Sequence, residues 1–196
     1  MTTLVFDVET SGLPFNFNSK FFVLDDYENA RLIELGYMVL DEAGTVLKSK
    51  EFLINDTVNE LSNTHIHGIT LDDLKDRGVP TETAFEEFYQ DLQHVQVLVA
   101  HNIRFDTNIM LSECQRNLTQ FRTLKNTIRS KPLFCTMLHG KEVMKVRKWP
   151  KLLELYEHLT SKQIVQTHRA LDDVKLCAEC YQIMKPFVIC NNNNVS

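Results

Sequence analysis

Three short stretches of this chain place acidic side chains where they could act together. LVFDVE, residues 4–9, carries Asp7 and Glu9 two positions apart. HNIRFD, residues 101–106, ends in Asp106, and THRALDD, residues 167–173, holds His168 followed by Asp172 and Asp173. Carboxylates that share one site need a cation to offset their repulsion, and an imidazole beside them can exchange a proton near neutral pH. Each stretch also has an ordinary reading. Asp7 and Glu9 could be the solvated side of a strand, and Asp106 could be an N-cap. The elements that carry the residues decide between these readings.

The alternation in LVFDVE predicts a strand with Leu4, Phe6 and Val8 on one face and Asp7 and Glu9 on the other, roughly 7 Å apart. TSG at 10–12 ends that strand, and a loop over 13–29 follows that is rich in aromatics: Phe15, Phe17, Phe21, Phe22 and Tyr27. Residues 30–41 and 45–54 read as a hairpin around DEAG. Residues 81–93 read as a helix opening on a capping box of Thr83 and Glu86. VQVLVA, 95–100, suits a buried strand and hands over to a helix at 105–117, so Asp106 falls at a strand-to-helix junction. Two amphipathic helices close the pattern, at 151–160 and 170–185.

In the last of these, about 100° per residue aligns Ala170, Val174, Cys177, Tyr181 and Met184 into one apolar stripe. Asp173 falls roughly 60° from the centre of that stripe, whereas Asp172 falls with Lys175 and Glu179 on the polar face. Asp173 is therefore the inward aspartate. Near a buried helix start it needs a partner, and a cation is the obvious one. Asp172 is a solvated first-turn acid favoured by the helix dipole.

The length of 196 residues fits one α/β domain over 1–186, with an Asn-rich tail at 187–196 expected to be disordered. The formal net charge of -5 excludes an overall basic field, so an anionic partner needs local basic contacts or bound cations. No stretch reaches the roughly 18 apolar residues of a membrane span, so no membrane partner is expected. The five cysteines form no paired framework and no signal segment is evident, which points to an intracellular rather than a secreted protein. Cys177 and Cys180 form a CxxC without a second pair, and read as core residues.

Taken in order, DVETSG, HNIRFD and HRALDD resemble the three motifs of the DEDD exonucleases. The HxAxxD spacing of the third is similar to the DnaQ-like branch with a histidine, and NTHIHGIT at 63–70 resembles a stretch between the first two motifs. The resemblance spans about residues 4–184. It implies a ribonuclease-H-like mixed sheet, an antiparallel hairpin plus parallel strands, flanked by helices. It also implies a 3′–5′ exonuclease that releases nucleoside 5′-monophosphates from single-stranded ends, with DNA preferred over RNA. On the same basis Asp7, Glu9 and Asp173 would hold one Mg²⁺ or Mn²⁺, Asp7 would bridge to a second, Asp106 would act there through water, and His168 would be the general base. Hard cations suit an all-carboxylate set. Two divalent ions add +4 to the formal -5, leaving -1, which eases the approach of a polyanion.

The resemblance further assigns substrate contacts to Thr10 (its backbone, at the 3′-hydroxyl), to Leu13 as a wedge between the last bases, and to Asn102. KVRKWPK, 145–151, reads either as a phosphate contact or as an exposed charged loop, and His65 and His67 are not expected to be ligands. The chain ends soon after its last helix, so association with a polymerase is not indicated. Two alternatives use the same fold: an RNA-trimming exonuclease and a non-catalytic nucleic-acid-binding scaffold.

Overall fold

β1 (Thr3–Thr10) is buried along nearly its whole length and forms the middle of the fold. It runs into a loop that contains a 3-10 turn (Leu24–Tyr27) and then into β2 (Leu32–Leu40) and β3 (Val46–Leu53). Two short helices follow, α1 (Thr64–His67) and α2 (Leu71–Arg77), and then α3 (Thr81–Leu92). β4 (Val97–Ala100) leads into α4 (Ile103–Arg116) and α5 (Leu118–Ser130). β5 (Leu133–Cys135), α6 (Thr136–Met144), α7 (Leu152–Thr160) and α8 (Ala170–Asn192) complete the order. The structure is a computed structural model that describes residues 1–192, with side chains described through 186.

The strands form one mixed sheet in the order β3-β2-β1-β4-β5. β1 pairs antiparallel with β2, and β2 with β3, while β4 and β5 continue the other side in parallel. This is the ribonuclease-H-like mixed sheet flanked by helices that the motif resemblance implies. The hairpin turns at Gly44, whose φ of 90° is open to glycine at no steric cost, and Asp41 accepts the Thr45 N–H at 2.8 Å.

Side-chain alternation along β1 divides the core in two. Leu4, Phe6 and Val8 pack with Phe85, Phe88 and Met110 from α3 and α4. Val5, on the opposite face, packs with Val174, Cys177, Cys180 and Met184 of α8. Asp7 and Glu9 continue the Val5 face, so they emerge beneath α8.

Several expectations shift. α3 starts at Thr81, and Thr83 and Glu86 lie inside it rather than forming a capping box. The cap comes from a distant residue, because the Asp56 carboxylate accepts both the Thr81 N–H and its hydroxyl, the latter at 2.6 Å. A capping box is found instead on α2, between Thr70 and Asp73. α8 runs through Pro186 to Asn192, past the expected domain end at 186, and the remaining expected tail, 193–196, lies outside the described residues. Cys177 and Cys180 are buried core residues. Among the described residues no helix is long and apolar enough to cross a membrane.

Candidate active site

Strand β1 and helix α8 bring three carboxylates to one point. One oxygen from each of Asp7, Glu9 and Asp173 lies within 4.8 Å of the other two. Asp173 is only 6% exposed. Its neighbour Asp172 faces outward, where it accepts from Lys175 at 2.8 Å and from the Thr167 hydroxyl at 2.8 Å. The helical stripe thus settles which aspartate turns inward.

Asp106 arrives from the first turn of α4, just past the end of β4. It is buried, and one of its oxygens accepts the Val8 N–H of β1 at 3.3 Å. That bond ties it to the strand that carries Asp7 and Glu9. It is not an N-cap: that position belongs to Asn102, which makes no side-chain capping bond.

The four acids raise one another's proton affinity. Burial lifts Asp7 well above the ordinary carboxylate range, and Asp106, Glu9 and Asp173 repel its charge further. Burial, followed by repulsion from Asp173 and Glu34, pushes Glu9 up to about 8. Asp106 is likewise pushed up to about 8 by burial, against the pull of its backbone hydrogen bonds. Asp173 is raised by burial, while donation from Gln166 and the charge of His168 draw it down. Two carboxylate oxygens, Oδ2 of Asp106 and Oδ1 of Asp173, are buried with no hydrogen-bond partner. Buried carboxylates in such a state call for positive charge. A divalent cation fits: the donors are all hard oxygens, and two of those oxygens are otherwise orphaned.

His168 stands in the segment between α7 and α8, close enough to act on the charge of Asp173. Its backbone is left-handed, with φ 52°, and Asn102 beside Asp106 is left-handed too, with φ 65°. Histidine and asparagine tolerate this region better than most residues, and such conformations persist where surrounding contacts hold them.

What aims the helix carrying Asp173 is a set of residues outside the three motifs or silent within them. Glu34 on β2 faces Glu9 in register and is fully buried. It accepts from the Arg169 guanidinium and, at 2.9 Å, from the Ala170 N–H. Such a bidentate charge-assisted clamp fixes position as well as charge, and here it docks the first turn of α8 on the sheet. Gly36, opposite Asp7, makes the docking possible: a Cβ there would stand 2.6 Å from the Leu171 nitrogen. Gln166 Nε2 donates to Asp173 Oδ2 at 2.7 Å and steadies the other carboxylate oxygen. An acid and a glycine within an apolar strand, LIELGYMVL, were the available signal for Glu34 and Gly36. Gln166 left none.

The remaining expected residues are spread around this centre. Thr10 is buried at a bulge in the β1–β2 register, and its hydroxyl donates to Gly12 O at 2.7 Å. Leu13, just beyond the strand, is 53% exposed. Asn102 lines a cleft with Phe17, Arg104 and Trp149. His65 is exposed, and His67 is buried with its Nδ1 accepting the Ile69 N–H.

The sequence profile of the RNase_T exonuclease family matches residues 4–181. The chain is 28% identical over 191 residues to the chloroplastic/mitochondrial exonuclease DPD1 of Arabidopsis thaliana, covering 93% of this chain and 55% of that protein. It therefore spans about half the length of that relative. It is 26% identical to the DNA polymerase III subunit epsilon of Treponema pallidum (strain Nichols), covering 91% of this chain and 74% of that subunit. In three dimensions it superposes on E. coli exonuclease I in complex with a dT13 oligonucleotide with a TM-score of 0.69 at 14% identity, over 97% of this chain and 43% of that one. That likeness shows a shared exonuclease fold.

Proposed function

The chain belongs to the RNase_T exonuclease family, a DEDD exonuclease of ribonuclease-H-like fold, and we propose that it is a metal-dependent 3′–5′ exonuclease of the histidine-bearing type, acting on single-stranded ends. The observation that carries the reading is the cluster of Asp7, Glu9 and Asp173 within 4.8 Å, with orphaned buried oxygens on Asp173 and Asp106. Such a cluster has little use without cations.

Asp7, Glu9 and Asp173 would hold one Mg²⁺ or Mn²⁺, and Asp7 would help to hold a second, where Asp106 would act through water. Two such ions, when bound, supply positive charge at the anionic phosphate, at the attacking water and at the departing 3′-oxygen. His168 takes the proton from that water; its place beside Asp173, at the entry to α8, supports this role. Gln166 orients Asp173, and the Glu34–Arg169 clamp holds the helix that bears it. Thr10 and Leu13, at and beyond the end of β1, would meet the terminal nucleotide. The product is a nucleoside 5′-monophosphate. DNA is the preferred substrate on the motif resemblance, and RNA trimming on the same fold is the alternative.

The test is incubation with matched end-labelled DNA and RNA strands, with Mg²⁺, with Mn²⁺, and with excess EDTA. Shortening from the 3′ end, faster for DNA and absent in EDTA, is the expected result. Cleavage that persists in EDTA, or that begins at the 5′ end, overturns the reading.

A further inference from the structure

Three of the four loop phenylalanines stay in water: Phe15, Phe17 and Phe22 are 69%, 58% and 54% exposed. Phe21 alone packs against the core, beneath Lys125 and Arg129. An exposed aromatic that lines a concavity marks a binding surface rather than a core. Phe17 lines a cleft of about 340 Å³ with Pro14, Asn102, Arg104, Phe105 and Trp149, within the roughly 300–1,000 Å³ of small-ligand sites.

Trp149, itself 54% exposed, also lines a neighbouring cleft of about 480 Å³ with Leu138, Lys141 and Lys145. The Lys141 ammonium lies 4.2 Å from the centre of its ring. From residue 141 to 151 the chain has five basic residues (Lys141, Lys145, Arg147, Lys148, Lys151) against one acid, Glu142. Lys148 is engaged by Glu154. This is a local positive patch on a chain of net charge -5.

The first cleft shares two chain segments with the carboxylate site. Asn102 and Arg104 belong to the same helix start as Asp106, and Pro14 lies five residues beyond Glu9. We propose that the Phe17–Trp149 cleft is a stacking subsite for an unpaired nucleotide upstream of the bond being cleaved, with the following phosphates led past Trp149 by Lys141 and Lys145. The proposal rests on the exonuclease reading above. Aromatic faces interleaved with cations suit single-stranded nucleic acid, because every base has a face to stack and every linkage a charge to neutralise. The subsite would hold the strand without reading its sequence.

Trp149 is the one tryptophan of the chain, so its fluorescence reports the cleft directly. In EDTA, where turnover stops, oligothymidylate should quench it saturably, and Phe17→Ala should weaken that binding. In Mg²⁺, Trp149→Ala and Phe17→Ala should each raise KM for a long oligothymidylate by about 5- to 150-fold. Turnover of the p-nitrophenyl ester of thymidine 5′-monophosphate, too short to reach the cleft, should stay within about twofold. Lys141→Ala should reduce the slope of log affinity against log salt by about 0.7. Failure of the exonuclease reading would appear as quenching without turnover of any substrate. The subsite itself is overturned by unquenched Trp149, by an unchanged KM in folded variants, or by equal losses on the mononucleotide ester. Fluorescence that changes with protein concentration alone would assign the cleft to a second copy of the chain, and would also overturn it.

Discussion

Replacing Asp106 with asparagine should make the metal-free protein more stable while removing its activity. The Asp106 carboxylate is buried, repelled by Asp173, and has one oxygen without any partner. Its other oxygen accepts the Val8 N–H at 3.3 Å, a bond that the asparagine carbonyl can keep. The substitution therefore deletes an uncompensated charge and spares the contact that positions the side chain. A buried unsatisfied group costs about 1–3 kcal/mol, more when charged. For a domain of this size each kcal/mol moves Tm by about 2–4 °C, so a rise of about 2–12 °C is expected in EDTA at pH 8.

The gain should depend on pH. Folding lifts Asp106 from its ordinary 3.8 to about 8. Between those values the folded chain holds a proton that the unfolded chain has lost, so metal-free stability falls as pH rises from about 4 to about 8. At pH 5 both proteins present a neutral group, and the advantage of asparagine should fade. Saturating Mg²⁺ or Mn²⁺ should reverse the order, because a ligand at 100 times its Kd adds about 2.7 kcal/mol to the protein that binds it fully. Thermal melts by circular dichroism, at pH 5 and pH 8, with EDTA and with metal, would show the crossing. A variant less stable than the parent in EDTA at pH 8 would refute the reasoning, and would make Asp106 a structural acceptor rather than an electrostatic liability.

Asp173→Asn should abolish most turnover, whereas Asp172→Asn should stay within a few-fold of the parent; equal losses in folded proteins, measured on end-labelled strands, would contradict the helix geometry. His168→Ala should lower kcat by about 10²–10⁴-fold while metal-induced stabilisation persists, and unchanged turnover would remove His168 from the chemistry. Gly36→Ala should push the start of α8 off the sheet, costing about 1–3 kcal/mol in a denaturant melt and lowering kcat more than it raises KM. A variant with the parent's melt and rate would show that the 2.6 Å approach to Leu171 is relieved without moving Asp173.

Local patterns sufficed for the strand–hairpin order, for the faces of β1 and for the inward turn of Asp173, because strand and helix periods act within a few residues. The order of the three motifs was likewise legible along the chain. Leu133–Cys135 is too short to signal a strand, and it becomes one only by pairing in parallel with β4. α5 and α6 also escaped the sequence reading, and the α5 segment breaks helical geometry at Phe121. The cap of α3 differs from the expected Thr83–Glu86 box because Asp56, 25 residues from Thr81, supplies it. Glu34, Gly36 and Gln166 have no periodic signature of function. The roles of Glu34 and Gly36 exist only where β2 meets the first turn of α8, more than 130 residues apart in the chain, and that of Gln166 only where the loop before α8 folds back onto Asp173. Residue types and spacing could announce which acids are present. The meeting of distant elements decided how close those acids come, how far burial raises their proton affinity, and which side chains hold them there.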